Sequence, residues 1–335
     1  MDSNLLSPNE MTSIDYFTDA YGHFAIHEEM LRDRERTETY MSAILANQPL
    51  FQGKVVLDVG CGSGFLSLVA ARAGAARVVG VDCSSVVELA REVVLENRLE
   101  QVVTIVRGRV EEVELPEGIT QVDIIISEWM GCCLYYENML DSVIFARNKW
   151  LARGGLMFPD LCTLYICGVE NIVDKDRRFG YWDNVYGFKM TSIKAASMTD
   201  ASVELVDDSS IVTTPCLLKE VDLMTCSIED LEFCSDFHLK VVRQDFITSL
   251  VTYFEVSFTH GVSRIVLSTS PSALPTRWRQ TLFWLQGHVT ALEGEEVEGT
   301  FRLRAKSHRK LVMEIVVRHQ GALGKLEEST VYKLQ

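Results

Sequence analysis

The sequence predicts an α/β domain built on a doubly wound parallel sheet, followed by an antiparallel β-barrel or sandwich. Residues 54–158 alternate short apolar runs with helical patterns, which is typical of a mainly parallel sheet. Gly154-Gly155 and Phe158-Pro159 then interrupt the pattern. Later apolar runs, most of them alternating with period two, predict strands at 163–169, 239–242, 250–258, 264–268, 297–303 and 311–317. The predicted domains are therefore 15–158 and 159–335.

The N-terminal residues divide into a polar tail and a helical segment. Residues 1–14 are predicted to be a disordered tail. Residues 15–48 contain an amphipathic helical pattern, with Ile26, Tyr40 and Ile44 among its apolar positions. We expect these helices to be part of the first domain.

A glycine-rich turn follows the first predicted strand. The apolar run 55–59 leads into Gly60-Cys61-Gly62-Ser63-Gly64, and Phe65 to Ala73 is predicted to form a helix ending at Gly74. Because glycine has no side chain, such a loop lets a ligand approach the backbone. The spacing Gly-x-Gly-x-Gly differs from the Gly-x-Gly-x-x-Gly of dinucleotide sites. A tight structural turn is the alternative explanation.

Acidic residues follow the next two predicted strands. The strand 77–81 ends at Asp82, about 20 residues after the glycine loop, where a carboxylate can bind ribose hydroxyls. Ser84 or Ser85 could cap the helix that follows. A third strand precedes Glu111.

Two glutamates bracket a short turn after another buried run. Ile124-Ile125-Ile126 leads into Glu128, and Glu137 ends the same segment, 127–137. Open α/β sheets bind ligands at the carboxyl ends of their strands. Two fixed carboxylates there suit a planar cation that donates forked hydrogen bonds, as a guanidinium does. An exposed acidic loop is the alternative.

The composition limits the class of protein. A formal net charge of −15 disfavours direct binding of nucleic acid and favours cationic partners. Nine cysteines without a Cys-x-x-Cys pair indicate a reducing, intracellular compartment and argue against a zinc site. No apolar run approaches the length of a membrane span, and the N-terminus lacks a signal-peptide pattern. We therefore expect no metal, no membrane and no nucleic-acid partner.

These features together resemble one enzyme family. The glycine loop, the segment 127–137, Tyr-Gly-His-Phe-Ala-Ile-His-Glu-Glu-Met-Leu at 21–31 and Thr-Arg-Trp at 276–278 are similar to motifs of type I protein arginine N-methyltransferases. The resemblance runs from about residue 15 to the C-terminus. It implies a class I methyltransferase doubly wound sheet, followed by an antiparallel β-barrel domain with a helical dimerisation arm at about 175–218.

The resemblance also implies the cofactor and the partners. The cofactor would be S-adenosylmethionine, and the substrates would be arginine-containing, basic proteins such as histones or Gly-Arg-rich proteins. A homodimer and a cytoplasmic and nuclear location are expected. Trp182, Tyr186 and Phe188 lie in a polar setting within the arm, as expected of a surface that binds a partner.

Individual residues acquire roles from the same resemblance. Glu128 and Glu137 would be catalytic. The implied cofactor contacts are His27, Arg36, Gly60, Gly62, Asp82, Glu111 and Met139, and the implied substrate pocket contains Tyr21, Met30 and Trp278. Arg36 would pair with the cofactor carboxylate, Asp82 would bind its ribose, and Glu111 its adenine amine. On the residues alone, Arg36 is more often a surface charge, His27 a structural histidine, and Met30 and Met139 core residues.

Three positions depart from the family pattern. The N-terminal motif, usually Tyr-Phe-x-x-Tyr, aligns with Phe17-Thr18-Asp19-Ala20-Tyr21. The ribose acid is Asp82, where the closest relatives carry glutamate. The family's Thr-His-Trp is Thr276-Arg277-Trp278 here, and its histidine pairs with an aspartate that matches Asp33. We expect Arg277 to keep that ion pair, and we expect weak activity or an altered range of substrates.

Two other classes of protein are open at this point. One is a weakly active paralogue that acts as a dimerising regulator. The other is a methyltransferase for a small molecule. The pair Glu128 and Glu137, together with the second domain, favours protein arginine methylation.

Overall fold

The computed structural model describes residues 21–116, 118–261, 264–307 and 310–334. The predicted tail, 1–14, and the motif residues Phe17 to Ala20 lie outside this part of the chain. Within it, no helix is long and apolar enough to cross a membrane.

A parallel sheet forms the first half of the molecule. Its strands are β1 Val55–Val59, β2 Arg77–Asp82, β3 Val103–Arg107, β4 Val122–Ser127 and β5 Leu151–Phe158. They pair in the order β3-β2-β1-β4-β5, and every pair is parallel. The strand order therefore reverses between β1 and β4, which opens a crevice at their carboxyl ends.

Helices cover this sheet and continue into the second half. They are α1 Phe24–Arg32, α2 Arg34–Leu45, α3 Gln48–Phe51, α4 Phe65–Arg72, α5 Val87–Glu96, α6 Leu140–Trp150, α7 Ile172–Gly180 and α8 Thr191–Ser197. The predicted strand, glycine loop and helix at the start of the sheet are confirmed. The predicted serine cap of α5 is wrong, because Ser84 instead donates to Asp82 and α5 starts after Val86 without a side-chain cap.

Antiparallel strands form the second half. They are β6 Leu161–Val169, β7 Ser202–Glu204, β8 Cys216–Asp222, β9 Phe233–Lys240, β10 Asp245–Phe258, β11 Ile265–Ser268, β12 Gln280–Ala291, β13 Glu296–Ser307, β14 Lys310–Gln320 and β15 Lys325–Leu334. One sheet has the order β7-β12-β10-β6-β8, with β11 beside β10, and the other has the order β15-β14-β13-β9. The predicted fold class is confirmed. The strand predicted at 239–242 is wrong in position, since β9 ends at Lys240.

Aromatic rings join the two halves. Tyr40 of α2 lies 5.0 Å from Phe258 of β10, measured between ring centroids. Phe158, at the end of β5, lies 5.1 Å from Phe51 and 6.0 Å from Phe258. All four side chains are buried. The helices that precede the parallel sheet therefore pack against the antiparallel half as well. This packing holds the two halves of the molecule together next to the crevice.

Candidate active site

A cavity lies at the carboxyl ends of β1, β2 and β4 and encloses about 1330 Å³ including its open mouth. Its walls come from both halves of the molecule. They include Tyr21, His27, Met30, Arg36, Gly60, Gly62, Asp82, Glu111, Glu128, Glu137, Met139 and Arg277. The predicted site residues are thus brought together, with the exception of Trp278.

The glycine loop forms the floor of this cavity. Gly60 and Gly62 have φ values of +73° and +51°, a region that favours glycine. A Cβ at Gly60 would collide with the Met139 side chain, and one at Gly62 would lie 3.1 Å from the His27 ring. His27 Nε2 donates to the carbonyl oxygen of Tyr21 at 2.8 Å. The bare backbone therefore lets α1 and the start of α6 close over the loop.

Two carboxylates, Asp82 and Glu111, line the part of the cavity that is expected to bind a nucleoside. Asp82 Oδ2 accepts from the Gly62 amide at 2.9 Å, and Oδ1 accepts from the amide and hydroxyl of Ser84. Each carboxylate oxygen has two lone pairs, so Asp82 can still accept from a ligand hydroxyl. Glu111 accepts from the Ser142 hydroxyl at 2.5 Å. Both acids are therefore held in place by protein donors.

Glu128 forms a buried ion pair with Arg36. Arg36 Nε and Nη2 each lie 2.7 Å from Glu128 Oε2, and the side chains are 10% and 6% exposed. Arg36 Nη1 also donates to the Met30 carbonyl at 3.3 Å. Arg36 is thus a buried residue of the cavity wall, and its partner within the chain is Glu128.

Glu137 is held by Tyr21 and by an unusual backbone. The Tyr21 hydroxyl donates to Glu137 Oε2 at 2.7 Å. Glu137 has a φ of +83°, and Asn138 has +54°, conformations that cost energy in residues other than glycine. Burial raises the pKa of Tyr21 well above its ordinary value, and the charge of Glu137 raises it further. Tyr21 therefore stays a protonated donor that orients this carboxylate.

Arg277 corrects an expectation from the sequence. Asp33 Oδ2 accepts from the backbone amide of Arg277 at 2.8 Å, and Oδ1 accepts from the Arg36 amide at 3.1 Å. The expected side-chain ion pair is therefore replaced by a backbone hydrogen bond. The Arg277 guanidinium instead lines the cavity with Glu128 and Glu137. Burial alone would lower the pKa of Arg277, but these glutamates and Tyr21 raise it above its ordinary value.

Trp278 lies behind the cavity wall and does not line it. Its side chain is 2% exposed, and its indole Nε1 donates to the Met130 carbonyl at 2.8 Å. The ring also meets Phe254 edge to face, at 5.5 Å between centroids. Trp278 therefore supports the chain that follows Glu128, and the expectation that it forms part of the substrate pocket is corrected.

Together these features define a class of enzyme. A glycine loop after β1, an acid after β2 and a cavity at the strand-order reversal are the nucleoside-binding features of the class I methyltransferase fold. Glu128 and Glu137 face the same cavity and suit a cationic acceptor.

Comparison with known proteins identifies the family. Residues 160–322 match the family model described as the arginine methyltransferase oligomerization subdomain, and residues 36–136 match that of ribosomal protein L11 methyltransferase. The chain is 48% identical to protein arginine N-methyltransferase 8-B of Danio rerio, over 92% of this chain and 73% of that protein. It is 44% identical to protein arginine N-methyltransferase 1 of Caenorhabditis elegans, over 97% and 94%. The chain belongs to the protein arginine N-methyltransferases.

Solved structures agree with this assignment. The Trypanosoma brucei PRMT1 enzyme–prozyme heterotetrameric complex with AdoHcy contains a chain that is 40% identical, with a TM-score of 0.91 over 95% of this chain and 100% of that one. Protein arginine methyltransferase 10 of Arabidopsis thaliana is 29% identical, with a TM-score of 0.86 over 95% and 100%. The protein is thus an arginine N-methyltransferase, and S-adenosylmethionine is its methyl donor.

Proposed function

We propose that this enzyme is of type I and forms mono- and then asymmetric dimethylarginine in basic proteins. The observation that carries the proposal is the placement of Glu128 and Glu137 in the cavity that also contains the glycine loop. The net charge of −15 supports basic substrates, such as histones or Gly-Arg-rich proteins.

The residues at the floor of the cavity fit the cofactor. Asp82 would bind the ribose, Glu111 the adenine amine, and the backbone of Gly60 and Gly62 would lie close to the ligand, with His27 above it. When bound, S-adenosylmethionine supplies an electrophilic methyl group on a sulfonium and needs no metal.

The two glutamates prepare the acceptor. A guanidinium is protonated at neutral pH, and its nitrogens are poor nucleophiles. Glu128 and Glu137 accept hydrogen bonds from its N–H groups, offset its charge and fix its plane, so that orientation and electrostatics lower the barrier. Met30 and Met139 form an apolar part of the wall that limits access of water.

Glu137 is the carboxylate we assign to accept the proton. Glu128 Oε2 already accepts from Arg36 Nε, and Arg36 Nη2 lies at the same distance of 2.7 Å, so this oxygen is engaged by a protein cation. Glu137 Oε2 accepts from the Tyr21 hydroxyl at 2.7 Å, and this hydrogen bond orients the carboxylate that we assign as the proton acceptor.

Mass spectrometry of a Gly-Arg-rich peptide incubated with enzyme and S-adenosylmethionine tests the reaction. The expected products are mono- and asymmetric dimethylarginine, with loss of both in Glu137→Gln. Glu112→Gln is the matched control. It removes the same charge as Glu137→Gln, but from a side chain that is 70% exposed. Symmetric dimethylarginine would contradict type I, and the absence of any product would favour the dimerising regulator.

The exposed aromatic residues of the arm support the proposal that the enzyme is a homodimer. Tyr186 and Phe188, between α7 and α8, are 94% and 71% exposed. Aromatic side chains so exposed mark a partner surface, and two-fold dimers are the commonest way to bury one. Light scattering at micromolar concentration should give a dimer for the parent and a monomer for Tyr186→Ser/Phe188→Ser. Leu323→Ser, at an exposed turn outside the arm, is the control and should remain dimeric.

The enzyme is also proposed to act in the cytoplasm and the nucleus, where its basic protein substrates would be found. Fluorescence microscopy of the tagged protein tests this location. Confinement to the secretory pathway would contradict it.

A further inference from the structure

The chain at 276–279 is held by its backbone and by one buried ring. Asp33 accepts from the Arg277 amide, and the Arg279 amide donates to the Thr276 carbonyl at 3.1 Å. Trp278 fixes the centre of the turn through its bond to Met130. The Arg277 side chain is therefore not needed to anchor the turn.

The Arg277 guanidinium lies where the cavity meets an outer groove. It lines the cavity with Glu128, Glu137 and Tyr21, and its Cζ lies 5.9 Å from the centroid of the Trp278 ring. It also lines the outer groove, whose other walls are Glu29, Arg32, Asp33, Arg34, Glu35, Glu38, Leu274 and Pro275. The side chain is half-buried, and Arg277 is a wall residue of both the cavity and this groove.

The group in this position is chemically the same as the group the enzyme methylates. Glu128 already has Arg36 as its cationic partner, and Arg277 adds a second guanidinium beside the two carboxylates. The charges of Glu128 and Glu137 favour a cation here, and a permanently charged arginine supplies one at every physiological pH.

We propose that Arg277 is a specificity-determining residue whose guanidinium occupies the acceptor end of the cavity and must be displaced by the substrate arginine. The proposal rests on the proposed function, since it concerns the same acceptor site. The outer groove also contains Arg32 and Arg34, but these pair with Glu28 and Glu38. Glu29 and Glu35 therefore give the displaced guanidinium acidic neighbours. Substrates that bind weakly through their flanking residues will be excluded, because they cannot compete with an arginine tethered beside the site.

Peptide binding and turnover of Arg277→Gln test the proposal. The variant should lower KM for a Gly-Arg-rich peptide by about 10-fold and change kcat little, because a competing charge is removed from the binding step. Calorimetry of protein saturated with S-adenosylhomocysteine should show the same gain in affinity. A citrulline version of the peptide, which lacks the cation, should show no gain.

Two further variants make the comparison decisive. Arg279→Gln removes an exposed arginine from the same turn and should keep KM within about 2-fold of the parent. Arg277→Lys keeps the charge but loses the planar fork, so its affinity should fall between those of the parent and Arg277→Gln. If Arg277→Gln fails to fold, the lysine variant still has to bind the peptide more tightly than the parent does.

The outcomes separate this inference from the proposed function. Equal or weaker peptide binding by Arg277→Gln would overturn the inference, whatever the activity. If Arg277→Gln binds the peptide more tightly but neither it nor the parent methylates the peptide, the proposed function is refuted. The competition by Arg277 is then still established. If the parent and Arg277→Gln each bind the arginine and citrulline peptides equally well, the inference and the proposed function are both overturned.

Discussion

Arg36 and Glu128 form a buried ion pair in which two guanidinium nitrogens each lie 2.7 Å from one carboxylate oxygen, Oε2. The pair joins α2 to the chain that leaves β4. Removing one partner of such a pair leaves a buried charge without compensation. Glu128 therefore has a structural role in addition to its role toward the acceptor, and Glu137 differs from it in this respect.

The two glutamates should consequently respond differently to the same substitution. Glu128→Gln should lower the free energy of unfolding by about 3 kcal/mol, because Arg36 loses its counter-charge. Glu137→Gln should cost about 1 kcal/mol, because Tyr21 can still donate to the amide oxygen. Both should lower turnover by at least about 10²-fold. Urea unfolding and single-turnover rates measure the two effects, and equal loss of stability would show that the ion pair is not structural.

Tyr21 should matter for turnover more than for cofactor binding. Tyr21→Phe removes the hydroxyl that orients Glu137 and keeps the ring near His27. A hydrogen bond to a charged group contributes about 1.5–3 kcal/mol, so kcat should fall by about 10-fold or more. Affinity for S-adenosylhomocysteine, measured by calorimetry, should stay close to that of the parent. An unchanged kcat would mean that Glu137 holds its position without Tyr21.

Asp58 should make stability depend on pH near neutrality. Burial raises the pKa of this carboxyl from 3.8 to about 7, although the Ser67 hydroxyl, which donates to Oδ2 at 2.7 Å, lowers it. Oδ1 has no hydrogen-bond partner within the described part of the chain. A carboxyl with a raised pKa in the folded state contributes stability that is present below the unfolded pKa. That stability is lost as pH rises through about 7.

Asp58→Asn tests this dependence. The amide is neutral at every pH, so the variant should gain stability relative to the parent as pH rises from 5 to 8, by about 3 kcal/mol at most, with most of the gain below pH 7. Thermal unfolding of both proteins across this range, without cofactor, gives the difference. Parallel profiles would show that Asp58 is ionised in the folded protein throughout.

Much of the fold could be predicted because its signals are local. The run Val55 to Val59, the glycine loop and the helix after it are contiguous, and each has a distinct periodicity or composition. The two-glutamate segment directly follows a buried strand, so its position at the cavity follows from the sheet itself. Strands β7, β8, β12 and β15 were missed. The first half of β12 is buried on both faces and shows no alternation, and β15 alternates with few apolar residues.

The direction of a loop side chain could not be predicted in the same way. Asp33 and Arg277 are brought together only by the folded chain, and either the amide or the guanidinium of Arg277 could have met that carboxylate. The group that meets the Asp33 carboxylate depends on how buried Trp278 positions the turn at 276–279. No local sequence pattern contains that information. The same holds for the pairing of Arg36, which lies in a run of charges that looks like a surface helix.

The contact between Asp33 and the Arg277 backbone gives a last prediction, on stability. Asp33→Ala removes the carboxylate that accepts from the Arg36 and Arg277 amides, and should lower the free energy of unfolding by about 2 kcal/mol. Because the contact does not involve the Arg277 side chain, Arg277→Ala should not change that cost. A double-mutant cycle should therefore give a coupling energy below about 0.5 kcal/mol.

The cycle for Arg36→Ala and Glu128→Ala is the matched comparison, since those side chains touch directly, and it should give a coupling energy above about 1 kcal/mol. Urea unfolding of the parent, the single variants and the double variants supplies both values. A coupling of that size between Asp33 and Arg277 would restore the side-chain ion pair that the sequence led us to expect. It would also place the Arg277 guanidinium away from the two glutamates, so the same measurement bears on whether this arginine competes with the substrate.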